Sequence, residues 1–520
     1  MVDHSFDNVR QLLGARVGQH PEKDFLFSES SGRVFSYAEF DSAVNHAAAL
    51  LVSSGARKGE RVSLLLTNSV EYLIFYFACF KIGAWAGPVN ALLKPQEIEF
   101  IIGDSESAIV VTQPDLYARL TRTPRLRTVI VIDGDQPLEK AEQAISEITV
   151  RHDLPAADQL ADFRTSPRLD AEITIDSEAV IIYTSGTTGK PKGVLLTHGN
   201  LMANAEQISD WLRLTPDDRS LLIMPLFHVN ALMTTCLAAL WAGASVVLAP
   251  RFSASRHWET ISTYKVSYFG SVATMLSLLN QTYPEGVPAG SDISSLRFAL
   301  CGSAPVPVEV MKRFESLFAC PVIEGYGLSE STCRSTFNPT DERRRVGSVG
   351  LPIGNEVKVF DDDDRELGPG EVGEIVLRGP NIMKGYFHNE AATREAFRSG
   401  WFHTGDLGYR DADGFFYIVD RKSDMIIRGG ENIYPREIDE VLYQHPNVKD
   451  AATIGVPDAL FGEEVKSFVV LAEGRQATEQ ELLDFCRERL ADFKCPKSIE
   501  FLDDIPKGPT GKLLKRELQG

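Results

Sequence analysis

Four short runs of this chain are apolar at nearly every position: Val62-Ser63-Leu64-Leu65-Leu66, Ala108-Ile109-Val110-Val111, Thr128-Val129-Ile130-Val131-Ile132 and Ser245-Val246-Val247-Leu248. A strand with one wetted face alternates apolar and polar residues. A strand that does not alternate is covered on both faces, as in a parallel sheet packed between helices. Helical patterns separate such runs through most of the first 340 residues. The fold class expected is therefore α/β, with parallel layers in a large N-terminal body of several subdomains. From about Gly347 the texture changes to short strands split by turn signals: Val357–Phe360, a turn over Asp361–Gly370, then Glu374–Arg378. A later pair is split by Asp411-Ala412-Asp413-Gly414. This part reads as antiparallel hairpins forming a small β-barrel. Beyond Asp420 comes a compact α+β pattern, with helices near 436–445 and 479–491 and strands near 451–455 and 464–471. A chain of 520 residues exceeds one ordinary core, so it divides into a body over 1–422 and a small mobile cap over 423–520.

The longest apolar stretch, Tyr72–Phe80, is followed by Lys81, Gly83 and Pro88 and falls well short of the roughly 20 residues a membrane helix needs. It is expected as a buried core helix. Residues 1–21 carry Asp3, Asp7 and Arg10 and no apolar segment of the kind a secretory signal requires. The seven cysteines are scattered and form no CxxC pair, which fits reduced thiols in the cytoplasm. Lys and Arg total 53 against 72 Asp and Glu, a net charge of −19. That balance speaks against a nucleic-acid partner. The ten histidines are widely spread and no HExxH occurs, so a zinc enzyme is set aside.

One loop carries the chemistry. The buried-strand pattern Val180-Ile181-Ile182-Tyr183 runs into Thr184-Ser185-Gly186-Thr187-Thr188-Gly189-Lys190-Pro191-Lys192-Gly193, then into a second strand and a helix from about Gly199. Glycines let backbone N–H groups approach an anion closely, hydroxyls add donors and lysines add charge. The spacing is not that of a Walker A loop, and Pro191 keeps Lys190 out of a helix interior. Taken alone, the string could also be a mobile polar hairpin.

The string YTSGTTGKPKG resembles the signature loop of the adenylate-forming enzymes: acyl-CoA synthetases, adenylation domains of peptide synthetases and beetle luciferases. Further motifs continue the resemblance over most of the chain. Gly325-Tyr326-Gly327-Leu328-Ser329-Glu330 is similar to the family's YGxTE segment, with Ser329 in place of the usual Thr. The resemblance implies that Tyr326 stacks on the purine and Glu330 offers a hard oxygen to Mg²⁺. A hydrolase nucleophile elbow at Ser329 is the competing reading, but the second glycine of GxSxG is missing. Cys301-Gly302-Ser303-Ala304-Pro305 resembles the segment lining the adenine and acyl sites. Trp401-Phe402-His403-Thr404-Gly405-Asp406 matches WFxTGD and implies a ribose-binding role for Asp406, whose carboxylate would take both hydroxyls. Asp420-Arg421 matches the DR before the inter-domain hinge, so Arg421 would reach ribose or phosphate. Ser423 stands at the pivot, where relatives carry Lys or Asp. Pro506-Lys507-Gly508-Pro509-Thr510-Gly511-Lys512 resembles the terminal PxTxxGK, which makes Lys512 the candidate mobile catalytic lysine.

The resemblance implies an ATP-dependent, Mg²⁺-requiring ligase. A carboxylate attacks the α-phosphate of ATP to give an acyl-adenylate, and a thiol then displaces AMP. In family members the cap rotates between these halves and brings the loop at Gly429, Gly430 and Glu431 to the pantetheine tunnel. His228 stands where amino-acid-activating relatives carry Asp, which points to an acid without an α-amino group; a satisfied core histidine is the alternative. No carrier domain follows Lys512, so CoA is the expected acceptor and an acyl-CoA synthetase the expected branch, one associated with fatty acid metabolism. A stand-alone adenylation enzyme or a fatty acyl-AMP ligase loading a carrier-protein thiol is the rival. Asn230, Ala231 and Arg334 are candidates for the acyl pocket, with Asn230 and Arg334 facing a polar or anionic tail. A surface Arg334, or one paired with Glu330 or Asp341, is the alternative. The expected partners are a small carboxylic acid, ATP and CoA, and the chain could pair as a homodimer.

Overall fold

The computed structural model describes residues 6–132, 149–151, 172–184, 191–303, 306–458, 460–508 and 513–518. Among these, the strands form four sheets of nine, eight, four and five strands.

The non-alternating runs become inner strands of the two large sheets. In the eight-stranded sheet, Arg61–Leu65 pairs in parallel with Trp85–Pro88 on one side and Ile109–Thr112 on the other, and the latter pairs with Thr128–Val131. Ser245–Leu248 lies inside the nine-stranded sheet, parallel to Arg219–Leu222 and Asp24–Ser28. All four residues of Ser245–Leu248 and of Ile109–Thr112 are buried, as two-sided coverage requires. Antiparallel pairs close three of the four edges of these two sheets, among them Thr336–Phe337 with Leu351–Pro352.

The apolar stretch is the helix Val70–Ile82. Ser69 caps its N-terminus by accepting the Tyr72 N–H, and Gly83, at φ 72°, ends it in the left-handed region. Every residue of the helix but Glu71 is buried, in one continuous core with strands of both large sheets. It joins the two layers, and Glu71 alone on it reaches solvent. Among the described residues no helix is long and apolar enough to cross a membrane.

The four-stranded sheet runs in the order Glu356–Phe360, Gly373–Arg378, Phe402–Arg410, Phe416–Arg421, with every neighbouring pair antiparallel. The hairpins stand where the turn signals put them, but the expected barrel is an open sheet, because its two end strands do not pair. Four short strands are too few to wrap around a filled interior. The five-stranded sheet draws only on residues from Ile426 onward, and its apolar core draws on the same stretch, packed under the helices Pro435–Tyr443 and Glu479–Arg487. All seven cysteines are free, six of them buried.

Candidate active site

The strand Glu178–Thr184 turns back antiparallel into Lys192–Thr197, so Thr184 sits opposite Lys192 at the mouth of a hairpin. The loop of Ser185, Gly186, Thr187, Thr188, Gly189 and Lys190 lies outside the described residues. Its surroundings do not. The two-residue strand Gly385–Tyr386 pairs with Val194 and Leu195, which sets the Tyr386 ring 5.1 Å from the Lys192 ammonium. The Tyr386 hydroxyl donates to Glu330 Oε1 at 3.0 Å, and the Met383 N–H donates to the Glu330 carbonyl at 2.7 Å. Lys192, Tyr386 and Glu330 thus meet beside the hairpin mouth. Burial pushes the Glu330 carboxyl up, opposed by hydrogen bonds and by Arg421. Among the described residues no lysine or arginine lies within ion-pair distance of it. Nor does any group of three metal-ligating side chains form among them. A single carboxylate is what a Mg²⁺ ion held mainly by nucleotide phosphates and water asks of a protein.

The segment expected to face the nucleotide lies at and just after the strand Val322–Tyr326. Tyr326 donates its hydroxyl to Asp406 Oδ2 at 2.7 Å, and Arg421 Nε lies 3.1 Å from Asp406 Oδ1. Strand register explains the meeting, since Asp406 and Arg421 are cross-strand partners. The Asp406 N–H is held by Thr404 Oγ1 at 3.0 Å. Asp406 is therefore buried and already engaged on both carboxylate oxygens, where the sequence suggested an acceptor open to two ribose hydroxyls. The adjoining turn is possible only with glycine. A Cβ on Gly327 would fall on the carbonyl oxygen of Cys333, and one on Gly302 would fall on Arg334 Nη1 and stand 2.7 Å from the Gly325 carbonyl oxygen. Ser329 opens a three-residue 3₁₀ turn, Ser329–Ser331, rather than a long helix behind a nucleophile elbow.

Behind this turn lie the residues expected to line the acyl pocket. Asn230 precedes a fully buried π-helical segment, Ala231–Leu237, of the kind often met at functional sites. Both ends of the Asn230 amide are used: Nδ2 donates to Ser303 Oγ at 3.1 Å and Oδ1 accepts from Thr234 Oγ1 at 2.7 Å. Ser303 is exposed and sits in the left-handed region at φ 68°. Ala304 lies outside the described residues. His228 stacks at a tilt 4.4 Å from Phe227, and its Nε2 is buried with no partner among the described residues. Burial pushes its pKa down to about 4, so it is neutral at physiological pH. It is thus not a satisfied core histidine.

Arg334 corrects both alternatives offered for it. It is neither at the surface nor paired with Glu330 or Asp341; it is 2% exposed, and Asp341 is taken by Arg343 and Arg213. Its Nη1 donates to the Gly325 carbonyl at 3.0 Å, its head lies 5.2 Å from the Phe337 ring, and its Nε has no partner among the described residues. Glu324 is the acid that faces it. Burial pushes the Glu324 pKa up to about 7, with Arg436 and Arg334 opposing and Glu440 adding to the rise.

In the cap, Arg428-Gly429-Gly430-Glu431 is a hairpin turn with both glycines at positive φ, 60° and 93°. Gly429, Gly430 and Glu431 are exposed, and Arg428 is held to Glu464. Lys512 lies outside the described residues, but the chain on either side of it is fixed. Lys507 bridges to Leu513 through the backbone and pairs with Asp450. Sequence reading missed Tyr386, Lys515 and Arg436. None stands in a recognisable string, and each acquires its partners only through folding.

The AMP-binding enzyme family matches residues 13–387, and the AMP-binding enzyme C-terminal domain matches residues 437–512. The chain belongs to this family. Within it the chain falls in the acyl-CoA synthetase branch: it is an acid–thiol ligase that uses ATP and CoA and forms AMP. It is 37% identical to a sulfoacetate–CoA ligase of Cupriavidus necator over 99% of this chain and 97% of that one. It is 34% identical to an oxalate–CoA ligase of Arabidopsis thaliana over 98% of both. The ATP-bound structure of MatB from Rhodopseudomonas palustris superposes with a TM-score of 0.86 at 30% identity, covering 98% of each chain.

Proposed function

We propose that this ligase activates a short carboxylic acid bearing a second anionic group, and that the residues singled out above divide the work as follows. The loop from Thr184 to Lys190, with Lys192, cradles the polyphosphate. Glu330 would hold Mg²⁺, which when bound would supply positive charge to screen the phosphate oxygens. Tyr326 stacks on adenine, and Asp406, oriented by Tyr326 and Arg421, accepts from ribose. The acid's carboxylate oxygen attacks the α-phosphorus while the bond to pyrophosphate breaks. Lys512 spans the carboxylate and the α-phosphate as charge gathers between them. The cap, turning at Arg421–Ser423, then offers the Gly429–Glu431 hairpin to the pantetheine arm. The CoA sulfur attacks the acyl carbon, the acyl–oxygen bond to AMP breaks, and the thiol proton passes to solvent. Neutral His228 borders the acyl carbon without adding charge.

The observation that carries the choice of acid is Arg334. A buried guanidinium such as this one, with no acid in ion-pair reach among the described residues, is costly. Glu324, its pKa pushed up to about 7, balances it only in part. An anionic acyl tail completes the balance. Ser303, its oxygen already accepting from Asn230, has its own O–H left to donate to that tail. Relatives named for sulfoacetate and oxalate agree with this reading. The test is AMP release by wild type and Arg334→Ala across short, branched, aromatic, long-chain and dianionic acids. Loss of at least tenfold in kcat/KM confined to the dianionic acids is expected. If the variant activates every acid as well as wild type, the tail-binding reading is wrong.

A further inference from the structure

Backbone strain marks the segment between Glu330 and Arg334. Thr332 stands at φ 64° and ψ −50°, and the Cys333 N–H donates across it to the Ser331 carbonyl at 2.7 Å. This is a γ-turn of the rare, strained hand, and a β-branched residue is poorly suited to its centre. Such a turn persists only where its surroundings over-determine it. Two asparagines do so here, and Thr332, Asn204 and Asn381 are all fully buried. The Thr332 hydroxyl donates to the Asn381 backbone carbonyl at 2.6 Å, and Asn381 Nδ2 donates to the carbonyls of Ser331 at 3.1 Å and Arg334 at 3.2 Å. Asn204, on the helix His198–Trp211, grips the backbone of Arg334 with both ends of its amide. Its Oδ1 accepts the Arg334 N–H at 3.1 Å, and its Nδ2 donates to the Arg334 carbonyl at 2.8 Å. One side-chain amide thus supplies the paired bonds that a neighbouring strand would give. Nδ2 also donates to Gln207 Oε1 at 3.0 Å, so the amide is itself held in place. Gly327 presses on the same residue: a Cβ there would stand 2.9 Å from the Arg334 Cα. The backbone of Arg334 is therefore fixed. Its head is held by a hydrogen bond to the Gly325 carbonyl and by no acid within ion-pair distance among the described residues.

We infer that Asn204 is a positioning residue for acid selection: by gripping the backbone of Arg334 it sets where the guanidinium stands, and with it the preference for an acid bearing a second anion. Thr332 and Asn381 brace the same stretch of backbone. Glu330 is held separately, by the Met383 N–H and the Tyr386 hydroxyl, so loosening Asn204 leaves that carboxylate in place. The inference rests on the reading of Arg334 as the tail-binding residue.

The experiment measures kcat and KM for CoA-dependent AMP release in wild type, Asn204→Ala, Asn381→Ala and Arg334→Ala. Each is assayed on a short α,ω-dianionic acid and on its ω-methyl ester. For Asn204→Ala the KM for the dianion should rise at least fivefold, with kcat on the ester and the KM for ATP within twofold of wild type. The dianion-to-ester ratio of kcat/KM should fall at least fivefold. A ratio kept at the wild-type level, whether activity is unchanged or lowered equally on both acids, overturns the inference. If Asn204→Ala does not fold by circular dichroism, Asn381→Ala, which removes the bonds to the Ser331 and Arg334 carbonyls, decides by the same ratio. If wild type shows no preference for the dianion, or Arg334→Ala keeps it, the reading of Arg334 fails. If Arg334→Ala abolishes the preference and Asn204→Ala keeps it, only the present inference fails.

Discussion

The body and the cap hold their working parts in unlike ways. Around Tyr326 the backbone is pressed so closely that Gly302 and Gly327 leave no room for a single methyl group. Asp406 is clamped by Tyr326, Arg421 and Thr404. In the cap the tail is tied by ion pairs, Lys507 to Asp450 and Lys515 to Asp439, and the Gly429–Gly430 turn stands in solvent. Close packing gives a site one geometry. Ion pairs at a partly wetted surface can be exchanged for others at little net cost. The difference matches the division of labour proposed above, in which the nucleotide is held in one place while the cap lets go and docks again.

Four experiments bear on that contrast, from the largest expected effect to the smallest. Lys512→Ala should lower pyrophosphate exchange by about 10²–10³, the scale of removing one preorganised charge from a transition state. Thioester formation from supplied adenylate should stay near wild type. Equal losses in both halves would erase the distinction between the regions. Gly327→Ala should cost both half-reactions alike, by about 10²-fold or through loss of soluble protein, since the Cys333 carbonyl lies on a buried backbone bend between the turn Ser329–Ser331 and the strand Thr336–Phe337. A variant as active as wild type would show that the body is not rigid here. Asp406→Asn should raise the KM for ATP about tenfold, on the order of one charge-assisted hydrogen bond, with a smaller change in kcat. ATP titrations at saturating acid read this directly.

The smallest effect concerns Glu324, a buried carboxyl whose charge feels Arg334 and Arg436. Its folded pKa, about 7, is above that of a free carboxyl, so the folded state binds the extra proton. The stability it contributes is present below the unfolded pKa and is lost as pH rises through about 7. Glu324→Gln should therefore melt a few degrees higher than wild type at pH 8 and no higher at pH 4.5, measured by thermal unfolding.

What was legible in the sequence was what is local. The strands Arg61–Leu65 and Ser245–Leu248 and the helix Val70–Ile82 declared themselves because each buries its own residues in a continuous run. The phosphate loop, the YGxTE-like segment and the WFxTGD match were contiguous strings. What depends on distant pairing was not. Tyr386 meets Glu330 across 56 residues, and Lys515 meets Asp439 across 76. Arg334 was read as a pocket or surface residue because a lone arginine in a string says nothing of its burial. The missing side chain of Gly302, 32 positions away, is what makes its place. The barrel was expected from strand spacing, but closure depends on how the end strands pair, which spacing does not encode.

The central claim is that the buried charge of Arg334 selects an acid with a second anion. The most direct measurement compares kcat/KM for CoA-dependent AMP release on a short α,ω-dianionic acid and on its ω-methyl ester, equal in backbone length and lacking one charge. A preference of at least tenfold for the dianion in wild type, collapsing in Arg334→Ala, is the predicted result. Equal rates on the two acids, or faster turnover of the ester, would contradict it.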